Sequence, residues 1–255
     1  MLSVARHELI AFLDNLLKPS SFTDYTPNGL QIEGKSKIGL LCTAVTASQE
    51  VIEKAQALSA DALLVHHGYF WKNEPSVLIG MKKKRIAALL NSDINLLAYH
   101  LPLDCHPVMG NNALFAKRFQ VKEVLCHTIQ QTPNLLWSGV LVKAQPFEDF
   151  LLFLENSFGR VVQAVQATGV PAIRRIAWCT GAAQDLIEAA ACLPVDAFIS
   201  GEVSERTYYQ AKELGLHYFA CGHHATECDA VQVLGNHLAE HFGIRHLYID
   251  VENPF

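Results

Sequence analysis

The sequence predicts an α/β fold built of two pseudo-repeated βαβ-containing halves with a small central α+β insertion. Three observations predict it. Short unbroken apolar runs, such as residues 62–65 and 94–99, are bounded by Asp, Asn, Gly or His, as strands of a sheet covered on both faces are. Amphipathic stretches of helical spacing alternate with these runs. Part of the pattern also returns 135 residues later: Gln49-Glu-Val-Ile-Glu53 matches Gln184-Asp-Leu-Ile-Glu188, and Asp61-Ala-Leu-Leu matches Asp196-Ala-Phe-Ile.

Residues 3–17 place Val4, Leu9, Phe12, Leu13, Leu16 and Leu17 on one helical face, with Ser3 as a cap and a stop before Pro19. Pro27-Asn28-Gly29 marks a turn, and 30–33 a short extended segment. Residues 38–45 read as a strand and 48–58 as a helix with Ser48 at its N-cap. With the strand at 62–65 they form a βαβ unit, right-handed by rule. A helix over 82–90, a strand over 94–99 and a helix over 112–119 complete a first half, 1–125. The stretch 126–170 changes character, with strands over 135–142 and 161–165 around a helix at 146–158, and is expected to be a small insertion. From Ile173 the first pattern resumes, which sets the second half at 171–255.

The chain has 255 residues, half of them apolar and 18% charged, so it has the composition of a globular protein with a sizeable core. A net charge of -5 supplies no basic footprint for nucleic acid. No apolar run approaches the ~20 residues of a membrane span. The first ten residues carry Arg6, His7 and Glu8 without an apolar core, so no secretory signal is read there. Seven cysteines, an odd number without a Cys-x-x-Cys pair, fit a reducing cytoplasm.

His66-His67-Gly68 stands where a strand should stop, and ligands of open α/β sheets bind beyond the carboxyl ends of strands. Successive strand residues point to opposite faces, so both histidines reach one site only if the chain has begun to turn, which Gly68 permits. Two later stretches also follow apolar strands: His100 to Asp104, and His223 to Glu227, the latter pair one helical turn apart. Imidazole and carboxylate together suit zinc, iron or manganese. Asp104 and Glu227 are the donors able to bridge two ions. Five donors, His66, His67, Asp104, His223 and Glu227, exceed a mononuclear catalytic site and suit two divalent ions roughly 3.5–4 Å apart. His100 is the candidate general acid–base, just past its strand. His106 and His224 stand between site and solvent on sequence alone. Cys105, Cys221 and Cys228 read as small apolar residues, and Lys82-Lys-Lys-Arg85 as a solvated helix face. Tyr69-Phe70-Trp71 either stacks a purine or packs a wall.

Asn28-Gly-Leu-Gln-Ile-Glu-Gly34, Val65-His-His-Gly-Tyr-Phe-Trp71, Tyr99-His-Leu-Pro-Leu-Asp104, Gly110-Asn-Asn112 and Gly222-His-His-Ala-Thr-Glu227 resemble, in order, the YbgI-like dinuclear metal family. Its members are commonly called GTP cyclohydrolase I type 2 homologues, or Nif-three-like proteins. The resemblance implies metal ligands at His66, His67, Asp104, His223 and Glu227, and a toroidal homohexamer whose metal sites face an inner cavity. It implies a metal-dependent hydrolase of a nucleotide-like small molecule, a purine nucleotide such as GTP, with His100 moving protons. The alternative from another class is a metal-binding or metal-delivery protein without turnover; nucleic-acid binding is disfavoured by the acidic balance.

Overall fold

A computed structural model describes residues 2–255; Met1 lies outside them. In chain order the elements of the first part are β1 (Val4–Ala5), α1 (Arg6–Leu17), β2 (Gly29–Ile32), β3 (Lys37–Ile38), β4 (Leu40–Thr46), α2 (Gln49–Ala57), β5 (Ala62–His67), α3 (Gly80–Asn91), β6 (Asn95–Ala98) and the short α4 (Leu101–Asp104). Then come α5 (Asn111–Arg118), β7 (Lys122–Ile129), β8 (Thr132–Gln145), α6 (Phe147–Phe158), β9 (Gln163–Val165), β10 (Ile173–Trp178), α7 (Ile187–Ala191), β11 (Ala197–Ser200), α8 (Glu205–Leu214), β12 (His217–Ala220), α9 (His223–Phe242) and β13 (Arg245–Tyr248). The chain is α/β throughout, as its alternating patterns predict.

It divides into two compact units: Met1–Leu103 with Cys228–Glu252, and Asp104–Glu227 with Asn253–Phe255. The first unit holds a sheet in the order β13-β4-β5-β6-β2, parallel except for β2. Its central strands β4, β5 and β6 are buried on both faces, hence their largely unbroken apolar sequences. Cys42, Ala44, Leu63, Val65, Leu96 and Ala98 pack with Val51, Ile52 and Ala55 of α2 and Ile86 and Leu89 of α3. The alternate residues Leu41, Leu64 and Leu97 are fully buried as well. Helix α2 begins at Ser48, whose hydroxyl accepts the Val51 N–H at 3.2 Å, the cap its sequence predicts. Helix α1 starts at Arg6 instead of near Ser3, because Val4 and Ala5 pair with Ile38 and Lys37 as a small antiparallel ladder.

The second unit holds a six-stranded sheet in the order β7-β8-β10-β11-β12-β9, with β10, β11 and β12 parallel. Alternation sorts its side chains between two layers. Ile176, Trp178, Ala197, Ile199 and Phe219 pack with Phe147, Phe150 and Leu154 of α6. Ala177, Cys179, Phe198, Tyr218 and Ala220 pack with Ile187 and Ala190 of α7 and Ala211 of α8. The breaks expected at 125/126 and 170/171 both fall inside this unit. Strands β8 and β9 of the stretch 126–170 flank β10 and β12 in antiparallel register, so this stretch extends the sheet. The sequence does not announce strand β7. It is an edge strand, largely exposed, and lacks the apolar alternation that announces a strand. It joins β8 through Gln130 and Gln131, both at positive φ, a tight turn without the usual Asn-Gly signal.

Candidate metal centre

In the first unit β5 runs through both histidines, two residues further than the apolar run suggests, and the turn begins at Gly68. The two rings nevertheless lie close, with centroids 4.5 Å apart. The neighbouring strands on either side draw them in. His66, fully buried, donates Nδ1–H to the Tyr99 carbonyl at 3.1 Å, just past β6. His67 Nδ1 meets Thr46 Oγ1 of β4 at 3.1 Å. Gly68 does not serve by left-handed backbone. A Cβ there would lie 2.2 Å from Gln31 Oε1 and 2.7 Å from Ala98 Cβ. Gln31 accepts the Tyr69 N–H and donates to Pro27 O and Tyr69 O, so Gln31 and Gly68 together close the turn after the histidines.

His100 follows β6. Its Nδ1 is 2.7 Å from Asp24 Oδ1, and its backbone N–H donates to Asn28 Oδ1 at 2.7 Å. Burial works against ionisation of Asp24, yet its hydrogen bonds to His100, Asn28 and the Tyr25 N–H hold it below the usual carboxylate range. His66, His67 and His100 each offer a ring nitrogen within 4.8 Å of the others, a group able to hold a metal ion.

In the second unit Asp104, His223 and Glu227 supply the donors. Asp104 ends α4, and Asn111 Nδ2 donates to its Oδ1 at 2.8 Å. His223 opens α9, and Glu227 follows one turn later with Oε2 at 3.2 Å from His223 Nε2. His223 Nδ1 meets Glu202 Oε1 at 2.6 Å. Burial disfavours charge on His223, but the carboxylates Glu227 and Glu202 outweigh it and push the imidazolium pKa up to about 9. Asp104 and Glu227 are buried, with ligand oxygens within 4.8 Å of each other. Burial raises the Cys179 thiol pKa, and the negative charges of Asp104 and Glu227 push the same way. Gly181, at φ +71, makes room for this pair: a Cβ there would sit 2.2 Å from Glu227 Oε1 and 3.3 Å from His223 Nε2.

The donors of each unit suit a divalent metal. Two buried carboxylates close together are costly unless positive charge offsets them, which the His223 imidazolium does in part and a divalent ion would do more fully. Each of the four histidines has its Nδ1 engaged by a fixed acceptor or hydroxyl: the Tyr99 carbonyl, Thr46, Asp24 and Glu202. A carbonyl or carboxylate only accepts, so Nδ1 of His66, His100 and His223 carries a proton, while the Thr46 hydroxyl can serve His67 Nδ1 as donor or acceptor. That is the arrangement of metal-ligating imidazole, whose outer N–H is held by a carboxylate, carbonyl or similar group.

The family model described as Duf34/NIF3 (NGG1p interacting factor 3) matches residues 4–254. The chain belongs to the Duf34/NIF3 family. An Allochromatium vinosum protein named GTP cyclohydrolase 1 type 2 homolog is 48% identical over 248 residues, covering 97% of this chain and 96% of that protein. A Pseudomonas aeruginosa protein of the same name is 45% identical over 255 residues, covering 99% and 100%. A solved structure described as protein ybgI, of unknown function, has a TM-score of 0.94 and 42% identity and covers 99% of this chain and 100% of that one. The resemblance read from the motifs is thereby borne out, and with it the α/β fold.

Within this Duf34/NIF3 chain several polar residues that no single motif announced surround the donors. Glu202 had a signal, since the 135-residue offset sets Gly201-Glu202 opposite His66-His67. Asp24 had none beyond its place before the Pro27-Asn28-Gly29 turn, because its partner lies 76 residues away. Asn28, Gln31 and Asn111 sit inside the recognised motifs and prove to be props for His100, for the turn at Gly68 and for Asp104. His106 Nδ1 accepts the Val108 and Met109 N–H groups, which makes it a turn cap. Cys105 and Cys221 are buried, in keeping with small apolar residues, while Cys228 is only partly so. The Trp71 and His100 rings are nearly perpendicular, centroids 5.1 Å apart. Among the described residues no helix is long and apolar enough to cross a membrane.

Proposed function

We propose that this Duf34/NIF3 chain holds two divalent metal ions, iron, zinc or manganese, through His66, His67, Asp104, His223 and Glu227. We propose further that it hydrolyses a nucleotide-like small molecule in the manner of a GTP cyclohydrolase type 2 homologue. The observation that carries the metal reading is the anchoring of every candidate histidine through Nδ1, beside two buried carboxylates. The names of the bacterial relatives support the nucleotide. Bound divalent ions would supply Lewis acidity and would lower the pKa of water at the site.

The chain's own residues supply the rest. His100, with its Nδ1 proton on Asp24, has Nε2 to take a proton from attacking water or return one to a leaving group. Trp71 offers a flat face beside His100 against which a heteroaromatic ring can lie. Asp104 and Glu227 would be the carboxylate ligands of the bound ions. In keeping with the family resemblance, the working form is a closed homohexamer. A reducing cytoplasm suits its seven free thiols.

The test is metal content and formate release from GTP on the same preparations, across iron, zinc and manganese loading, with Asp104→Ala as the control for stray activity. Two ions per chain with formate release that Asp104→Ala abolishes is the expected result. Two exchangeable ions without turnover of any purine nucleotide transfers the site to the metal-delivery class. Sedimentation at micromolar concentration should show a hexamer, and a monomer would remove the assembly from the reading.

A further inference from the structure

The Asp24 carboxylate is a built feature. Its Oδ1 accepts the Tyr25 N–H at 2.6 Å and faces His100 Nδ1 at 2.7 Å. Its Oδ2 accepts the Leu101 N–H at 3.0 Å and Asn28 Nδ2 at 2.9 Å. Asn28 in turn accepts the His100 N–H through Oδ1. The side chain of Asp24 is 3% exposed, against 15% for His100. With both oxygens engaged the carboxylate has one orientation. Asp24 and Asn28 therefore hold His100 at its backbone, at the next residue and at one ring nitrogen. A single hydrogen bond would leave the imidazole free to rotate about it; this clamp does not. The ring it holds stands 5.0 Å from that of His66 and 5.8 Å from that of His67.

We propose that Asp24 is a positioning residue that locks His100 as the Nδ1–H tautomer, with Asn28 fixing the backbone beside it, so that Nε2 is always the nitrogen offered to a reacting proton. The same division of labour between a buried aspartate and an imidazole sets the working tautomer in serine hydrolases, where altering the aspartate leaves the geometry but presents the wrong nitrogen. The inference rests on the proposed hydrolytic role of His100 for its purpose, and on hydrogen bonding alone for its content.

The experiment separates the two. In metal-free protein labelled with 15N at histidine, at mildly alkaline pH, the His100 ring is identified by the signals lost in His100→Gln. The expected spectrum shows a proton on Nδ1 and a lone pair on Nε2. Asp24→Ala should release the ring toward the Nε2–H form that free imidazole of histidine favours. Asp24→Asn, which keeps the shape, should lose the pure Nδ1–H signature if the alanine variant does not fold. An Nε2–H ring in the parent protein overturns the proposal without any variant, and so does an unchanged ring in a folded Asp24 variant. Where nucleotide turnover is present, Asp24→Asn should lower kcat about 10²–10⁴-fold with KM and metal content held, the range of general acid–base catalysis. Unchanged kcat overturns the positioning role. Absence of turnover in the parent removes the hydrolase reading while the ring spectra still decide the lock.

Discussion

Asp61 and Asp196 make the same pair of hydrogen bonds in the two units. Asp61 Oδ2 accepts the backbone N–H groups of Gly39 and Leu40, both at 2.9 Å and 22 and 21 residues upstream. Asp196 Oδ2 accepts those of Arg174 and Arg175, at 2.8 and 2.7 Å and again 22 and 21 residues upstream. Each aspartate precedes the second strand of a parallel pair and pins the start of the first. The carbonyls match too: Asp61 O accepts the Asn95 N–H and Asp196 O the His217 N–H, each at 3.1 Å, where the third strand enters. The repeat visible as Asp-Ala in the sequence is therefore a repeat of a device that sets strand register.

Removing that device should cost stability. Burial opposes ionisation of Asp61, yet Lys35 and the Leu40 and Gly39 N–H groups lower its pKa below the usual value. A carboxylate lowered on folding contributes stability that is fully present above its unfolded pKa, about 3.9, and lost as pH falls through the lower folded value. Asp61→Asn should cost about 1.5–3 kcal/mol at neutral pH, the range for hydrogen bonds to a charged group. Denaturant titrations of parent and variant should converge as the pH drops below that window. A constant gap at all pH values would show that the charge on Asp61 is immaterial.

Glu202 holds His223 by Nδ1, so its effect should fall on metal and not on folding. Glu202→Ala is expected to weaken divalent-ion binding by about 10–100-fold, the usual weight of an outer partner of a ligating histidine. Glu202→Gln, which keeps an acceptor oxygen, should lie between. Calorimetric titration with zinc or manganese reads the affinity, and thermal unfolding of the metal-free variants should stay near the parent.

Gly68 is required for clearance. Gly68→Ala puts a methyl group against Gln31 Oε1 and Ala98 Cβ and should cost about 1–3 kcal/mol as overpacking. Gln31→Ala removes one of the two obstacles as well as the hydrogen bonds that close the turn. The double variant should therefore lose less than the sum of the single losses. Strict additivity in chemical denaturation would place the conflict elsewhere.

Asp104 is expected to serve both ions. Asp104→Ala should reduce metal content to well under one ion per chain at equimolar metal, whereas His67→Ala should spare one ion more tightly than the other. Equilibrium dialysis with elemental analysis distinguishes the two. One ion retained at parental affinity in Asp104→Ala would assign Asp104 to a single ion.

The sequence by itself determined the layer type, most elements and the kind of donor. The central strands β4, β5, β6, β11 and β12 are covered on both faces, so their apolar runs are continuous and legible, and helices such as α2 carry their cap within three residues. His223 and Glu227 are legible as a pair because one helical turn relates them. Edge strand β7 was not, since an exposed strand needs no apolar alternation. Nor does sequence spacing reveal that Gly68 is present for the sake of Gln31.

Only the tertiary structure decided what holds Nδ1 of each histidine. The groups that hold Nδ1 lie 21, 33, 76 and 21 residues from His67, His66, His100 and His223. A strand or helix period extends over a few residues and carries no information across such distances. The proton on an imidazole follows the nearest acceptor in space; for His66 and His67 parallel β pairing brings partner and ring together across an intervening helix, and for His100 and His223 loop residues do so.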